Sequence, residues 1–238
     1  MIGFHLDMSE DSAPDSVASS YMLILETLML FTIIRILWSF SDRTLFSNTL
    51  FIKDGPLTLR SQYSKLVPNI RAFIDYTKRQ NRSFYLIGQE KTGVFFENLK
   101  SIAKYVSPKE LGDMPSVATL SHSYVRKEVY RCPELSNPYG KRTNWGEKVY
   151  VKLDPDCSLV LNVPVGQYVD DDGFPKLSDL LGIDRIMATL PGLISRKYEG
   201  ALFPIELANG VASMSSYPSA KILERFVADV SSAQRQAL

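Results

Sequence analysis

The sequence predicts an α/β fold in which a mixed β-sheet is flanked by helices. Short apolar runs rich in β-branched and aromatic residues recur along the chain and are typical of buried strands. Between them lie segments with apolar residues three or four positions apart, which are typical of helices. The chain has 238 residues, of which 45% are hydrophobic and 22% charged. This composition predicts one ordinary globular domain.

The first predicted element is a helix over residues 21–40. Residues 1–20 precede it and are polar, acidic and interrupted by proline, so we expect a flexible N-terminal segment there. The helical run is long enough to span a bilayer, but Glu26 and Arg35 would each cost roughly 2.5–3.5 kcal/mol near its centre. We therefore expect a buried core helix in a cytoplasmic protein, with a membrane anchor as the alternative.

Glu26 is the only acid in the apolar run at 22–38. On a 3.6-residue period it shares one helix face with five apolar residues. These are Met22, Met29, Leu30, Ile33 and Leu37. A carboxylate on a buried apolar face requires a partner, and a divalent cation is one such partner. Glu26 is therefore a candidate metal ligand.

A strand over residues 49–54 is predicted next, and it ends in an Asp-Gly-Pro turn that places Asp54 at the carboxyl edge of the sheet. A helix over 62–79 and a strand over 83–88 complete a βαβ unit, which brings Lys91 to the same edge. There Lys91 would neutralise a phosphate in phosphoryl transfer. The alternative is a solvated loop lysine.

The rest of the chain continues the α/β pattern. The predicted elements are a helix at 94–106, a strand at 117–124, a hairpin of strands at 149–153 and 159–163, short helices within 177–193, and helices at 204–214 and 218–230. A lone histidine, His122, is interpreted as structural because no partner stands at ligand spacing. Cys132 and Cys157 show no zinc-site spacing, which favours a reduced cytoplasmic setting.

The segment at 126–148 mixes lysines and arginines with tyrosines and Trp145. Because the net charge is only +1, DNA binding would depend on local basic clusters of this kind. Cationic and aromatic side chains together hold phosphates and stack on unpaired bases. A DNA-binding groove and a solvated loop are both compatible with this composition.

Four pieces, in this order, resemble the NurA-type nuclease domain family. They are the Glu26 helix with the Asp-Gly-Pro-Leu strand end at 54–57, the strand YLIGQEK at 85–91, the hairpin at 149–163, and the segment GALFPIELAN at 200–209. The similarity runs from about residue 26 to about residue 227, within a predicted domain at 21–238.

The resemblance implies an RNase H-like core and a metal-dependent DNA nuclease acting on single strands and duplex ends. It implies Mn²⁺, or Mg²⁺, held by Glu26 and Asp54, with Lys91 and Asn209 completing the catalytic set. It also implies a homodimer, a HerA-type hexameric ATPase as partner, and a setting in DNA end processing or defence.

The sequence departs from the family pattern at two places. The first metal-binding Asp of the family has no counterpart before Glu26, and Ala201 and Asn209 stand where the family usually has Tyr and His. The Asn209 side chain can form hydrogen bonds but cannot titrate. The Ala201 side chain can neither form hydrogen bonds nor titrate. The alternative function is therefore a catalytically impaired subunit that serves in dimerisation and ATPase docking.

Overall fold

A computed structural model describes residues 14–40, 43–80, 82, 84–103, 115–132, 139–154, 156–168, 174–195 and 197–213. The helices are α1 (Pro14–Ser39), α2 (Arg43–Ser47), α3 (Val67–Arg79), α4 (Val94–Ala103), α5 (His122–Tyr124), α6 (Ile183–Thr189) and α7 (203–213). The strands are β1 (Leu50–Asp54), β2 (Tyr85–Glu90), β3 (Ser116–Thr119), β4 (Gly146–Lys152) and β5 (Ser158–Pro164). Short 3₁₀ helices lie at Ser61–Leu66, Leu177–Asp179 and Leu190–Leu193, and a π-helical turn lies at Val125–Val129.

The strands form one mixed sheet in the order β1-β2-β5-β4-β3. Strands β1 and β2 are parallel, and α3 crosses between them, as predicted for a βαβ unit. The remaining neighbours are antiparallel, and β4 and β5 form the predicted hairpin. The prediction of an α/β fold with a mixed sheet and flanking helices is therefore confirmed.

Alternating residues of the strands build a core on each face of the sheet. On one face, Val149 and Leu161 pack with Ile186 of α6. On the other face, Leu86 packs with residues of α1 and α3 in one cluster. A further cluster on that second face joins Tyr150 to the aromatic residues of α4. Helix α4 therefore covers β4 and β5 on this face of the sheet.

Helix α1 differs from its prediction in start and in orientation. It begins at Pro14, so residues 14–20 belong to the helix, and residues 1–13 lie outside the described part. Ile24 and Ile34 are fully buried, whereas the side chain of Glu26 is 55% exposed. The prediction that the Glu26 face is buried was wrong, because apolar residues surround this helix and its period does not single out the core face.

The exposed side of α1 is apolar. Its large exposed side chains are Tyr21, Met22, Leu28, Met29, Ile33 and Ile36. The segment Ser16–Ser39 is long and apolar enough to cross a membrane by length and composition, although only 22% of its most apolar window is buried in the fold. Helix α1 is thus a core helix on one side and an uncovered apolar surface on the other.

Strand β3 ends earlier than predicted, because a short helical turn begins at His122. His122 is buried, with Nε2 3.2 Å from Glu147 Oε2 and Nδ1 2.7 Å from the Tyr168 hydroxyl, which donates to the Tyr139 carbonyl. These contacts agree with a structural role for this histidine. Cys132 and Cys157 are both free thiols. The predicted helix at 218–230 lies outside the described residues.

Candidate functional site

The turn after β1 fixes the position of Asp54. Gly55 has a φ of 91°, a conformation that residues with a side chain rarely adopt. Its N–H donates to the Gln89 carbonyl of β2 at 2.7 Å. Gly88 leaves room for this turn, because a Cβ at that position would lie 2.5 Å from the Gly55 carbonyl oxygen. Two glycines therefore hold Asp54 at the carboxyl edge of two parallel strands.

Asp54 and Lys91 form an ion pair at this edge. Lys91 Nζ donates to Asp54 Oδ2 at 2.9 Å, with the two side chains 27% and 47% exposed, respectively. Both groups are accessible to a ligand from solvent. The prediction that the βαβ unit brings Asp54 and Lys91 to the same edge is confirmed.

Glu26 reaches the same edge through a lysine that sequence reasoning missed. Lys53 Nζ lies 3.7 Å from Glu26 Oε2 and donates to the Asp54 carbonyl at 3.1 Å. The Lys53 side chain is only 8% exposed, so its ammonium requires these partners. The sequence signal that could have revealed this partner of Glu26 is a lysine within an otherwise apolar strand. The structure thus pairs Glu26 with Lys53 and Asp54 with Lys91.

A buried glutamine joins the 200–209 segment to the same strand edge. Gln89 Nε2 donates to the Gly200 carbonyl at 2.6 Å, and Gln89 Oε1 accepts from the Leu202 N–H at 3.2 Å. The residue is fully buried, so both groups of its amide are satisfied without water. Two of the pieces that carry the sequence resemblance are therefore connected by one side chain.

We expect Gln89→Leu to lower the free energy of unfolding by about 2–4 kcal/mol, because it leaves a buried N–H and a buried carbonyl without partners. Urea denaturation followed by circular dichroism measures this loss. Gln80→Leu, at an exposed position just after α3, is the matched control and should change the stability little. Equal stability of wild type and Gln89→Leu would contradict the anchoring role of this amide.

A cavity of about 970 Å³ lies beside the Asp54–Lys91 pair. Lys91, Ala201 and Asn209 line it, so the structure brings together the predicted lysine and the predicted asparagine. Glu206, on the same wall, accepts a hydrogen bond from Ser195 and has Oε1 3.6 Å from Lys197 Nζ. The cavity wall therefore carries two lysines, Lys91 and Lys197, and two acids, Glu199 and Glu206, within a mostly apolar lining.

A second polar cluster lies on the α4 side of β2 and was not predicted. Glu90 Oε1 accepts from Lys148 and, at 2.7 Å, from Asn162 Nδ2. Lys148 Nζ also donates to Asn162 Oδ1 at 3.3 Å and lies 4.2 Å from the centre of the Phe95 ring. Burial lowers the pKa of Lys148 below its ordinary value, although the Glu90 carboxylate opposes this shift. The cluster forms only when β2, β5 and β4 pair in the observed register. The hydrophobic periodicity of the sequence does not predict that register.

The donor chemistry at the edge suits Mg²⁺ or Mn²⁺ in kind. Asp54 and Glu26 supply carboxylate oxygens, and Mg²⁺ is commonly held by one or two carboxylates together with water and substrate phosphates. Within the described ranges, no group of three or more His, Cys, Asp or Glu side chains is placed to hold a metal ion. Each of the two carboxylates is also paired with a lysine. The donor types therefore suit a divalent cation, whereas the described geometry pairs each carboxylate with a different lysine rather than with the other carboxylate.

Comparisons of the chain with protein-family models, with curated proteins and with solved structures found no match. The residues at the carboxyl edge of β1 and β2 are therefore the basis for assigning a function.

Proposed function

We propose that this chain is a NurA-like, metal-dependent DNA nuclease with an RNase H-like core, acting on single strands and duplex ends. The supporting observation is the accessible Asp54–Lys91 pair at the rim of a cavity that Asn209 also lines. A nuclease needs an acid to bind a metal ion and a cation to neutralise the phosphate, and these two groups are adjacent here. The order of the sequence motifs adds support, because it is the order of the NurA-type family.

The proposed mechanism assigns one task to each side chain at the edge. Lys91 binds a non-bridging oxygen of the scissile phosphate and offsets the charge that develops there. Asn209 donates a hydrogen bond to the phosphate or the leaving oxygen. Asp54 and Glu26 would hold Mn²⁺ or Mg²⁺, and the cation would supply Lewis-acid stabilisation of the phosphate and activation of the attacking water. Lys53 holds the Glu26 carboxylate near the end of β1 through their ion pair.

The proposal extends to partners and location. We propose a cytoplasmic homodimer that receives DNA from a HerA-type hexameric ATPase during end processing or defence. The uncovered apolar side of α1 supports the dimer, because contiguous exposed apolar surface marks interaction sites. A membrane anchor formed by the same helix is the competing use of that surface.

Purified protein tests the activity directly. We expect it to degrade linear single-stranded and blunt duplex DNA when Mn²⁺ is present, with no cleavage in EDTA. Restoration of cleavage by adding Mn²⁺ back to the EDTA-treated sample would tie the activity to the metal. Cleavage that continues at full rate in EDTA would contradict the metal-dependent mechanism.

A second candidate is the catalytically impaired docking subunit. It is favoured by the pairing of both carboxylates with lysines and by Ala201, which cannot hydrogen-bond through its side chain. This candidate gives no cleavage with any divalent cation, alongside binding to a HerA-type ATPase and dimer formation in light scattering. Cleavage with Mn²⁺ that is lost on substitution of Asp54 excludes it.

A further inference from the structure

A pocket of about 380 Å³ lies on the α4 side of the sheet, next to the turn that follows Asp54. Pro56 of that turn, Glu90 at the end of β2 and Phe95 of α4 form part of its wall. Its aromatic and charged lining also includes Tyr130, Tyr139 and Lys148. It is lined by different residues from the 970 Å³ cavity at Asn209.

Three aromatic rings form one wall of the pocket. The Tyr130 ring lies 5.7 Å from Phe95 and 5.6 Å from Tyr139, measured between ring centres, with interplanar angles of 87° and 40°. Phe95 is buried, whereas Tyr130 is 42% exposed. Tyrosine phenols are already neutral near pH 7, and burial raises the pKa of Tyr130 and Tyr139 further. An uncharged, accessible ring beside a pocket provides a surface for stacking a flat ligand.

The polar floor of the pocket presents a hydrogen-bond acceptor. Lys148 and Asn162 both donate to Glu90 Oε1. Among the described residues, no group donates to Glu90 Oε2, although a carboxylate oxygen accepts up to two hydrogen bonds. The Lys148 side chain is 6% exposed, so it holds Glu90 in place rather than facing solvent. The floor therefore suits a ligand that donates N–H groups.

We propose that this pocket binds an unpaired nucleobase, which stacks on Tyr130 and donates an amino hydrogen to Glu90 Oε2. The proposal rests on the function proposed above and names a subsite for its DNA substrate. Glu90 and Lys91 are consecutive residues at the edge of β2, and Lys91 contacts Asp54. Pro56, in the turn that follows Asp54, lines the same pocket, so a strand whose base occupies the pocket would cross that turn to reach the Asp54–Lys91 pair. Blunt duplexes lack such an unpaired base, so only single strands and frayed ends use the pocket.

The affinity for single-stranded DNA, measured by fluorescence anisotropy in EDTA, tests the stacking contact. We expect Tyr130→Ala to weaken binding of a short labelled single strand by about 5- to 150-fold, the effect of losing one stacked base. Tyr130→Phe retains the ring and should bind as wild type does. Tyr76→Ala, which removes a similarly exposed tyrosine from α3, is the matched control and should have no effect. Binding of a blunt hairpin duplex should change little in all three variants.

The base contacting Glu90 is tested with two strands that differ only in a terminal cytosine or uracil. Cytosine carries an amino donor where uracil has a carbonyl, so wild type should prefer the cytosine strand. In Glu90→Gln the side-chain oxygen remains with Lys148 and the NH₂ faces the pocket, so the preference should shift towards uracil. Glu97→Gln, an exposed position on α4, is the control and should keep the cytosine preference.

The outcomes separate this subsite from the wider function. Wild type and Tyr130→Ala binding single strands equally well would overturn the pocket assignment while leaving DNA binding intact. Failure of wild type to bind any DNA would overturn the proposed function, and the pocket assignment with it. A folded Glu90→Gln protein, checked by circular dichroism, that keeps the wild-type cytosine preference would exclude Glu90 as the contacting group.

Discussion

Asp54→Asn is expected to reduce Mn²⁺-dependent DNA cleavage by at least about a hundredfold, the range for losing a group that acts on the reacting centre. The substitution keeps the shape of the side chain and removes its negative charge. A neutral amide is a weaker ligand for a divalent cation, and it no longer positions the Lys91 ammonium by an ion pair. The rate of release of labelled nucleotides from linear DNA measures the effect.

The fold should tolerate this change. Asp54 is 47% exposed, and an accessible ion pair contributes only about 0–1 kcal/mol to stability. Thermal unfolding of Asp54→Asn should therefore match wild type closely. Asp184→Asn, at an exposed position in the first turn of α6, is the control and should retain full activity. Unchanged cleavage by Asp54→Asn would remove this residue from the mechanism.

The placement of Asp54 and Lys91 could be predicted because local rules decide it. Two apolar runs with a helix between them favour parallel strands, and parallel strands bring their carboxyl ends to one edge. The Asp-Gly-Pro turn after β1 then places an acid at that edge without knowledge of the remaining fold. The observed register, with Asp54 opposite Gln89, leaves Lys91 just beyond the end of β2.

The environment of Glu26 could not be predicted by the same rules. Helix α1 is apolar on all sides, so the sequence offers no polar face by which to orient it. Its orientation is fixed instead by long-range packing, in which Ile24 and Ile34 enter the cluster formed with α3 and β2. The partner of Glu26 is consequently Lys53, a residue distant in sequence whose side chain leaves β1 towards this helix.

The Glu90–Lys148 pair was also beyond sequence reasoning, because it depends on the register of three strands. Lys148 pairs with Asn162 across β4 and β5, and Gly88 pairs with Asn162 across β2 and β5. A shift of one residue in either register would turn Lys148 or Asn162 to the opposite face. The hairpin was predicted correctly, but its alignment with β2 is a property of the assembled sheet.

Glu90→Leu is expected to lower the free energy of unfolding by about 3–5 kcal/mol, because it leaves the buried Lys148 ammonium without its carboxylate. Replacing both members of the pair, in Glu90→Leu/Lys148→Met, should recover most of this loss, since two apolar side chains replace two buried charges. The double-mutant cycle, measured by urea denaturation, gives the coupling between the two residues. Additive losses in the double variant would show that the pair does not act as a unit.

The pH dependence of the Glu90→Leu variant provides an independent check. Burial already lowers the pKa of Lys148, and loss of the opposing carboxylate lowers it further. A lysine whose pKa is lower in the folded state binds fewer protons there than in the unfolded chain, so the free energy of unfolding rises with pH. The penalty is complete below the folded-state pKa and disappears as the pH approaches about 10.5, where unfolded lysine also loses its proton. The stability deficit of Glu90→Leu relative to wild type should therefore shrink between pH 7 and pH 10. A deficit that stays constant over this range would mean that lost packing, and not the buried charge, causes it.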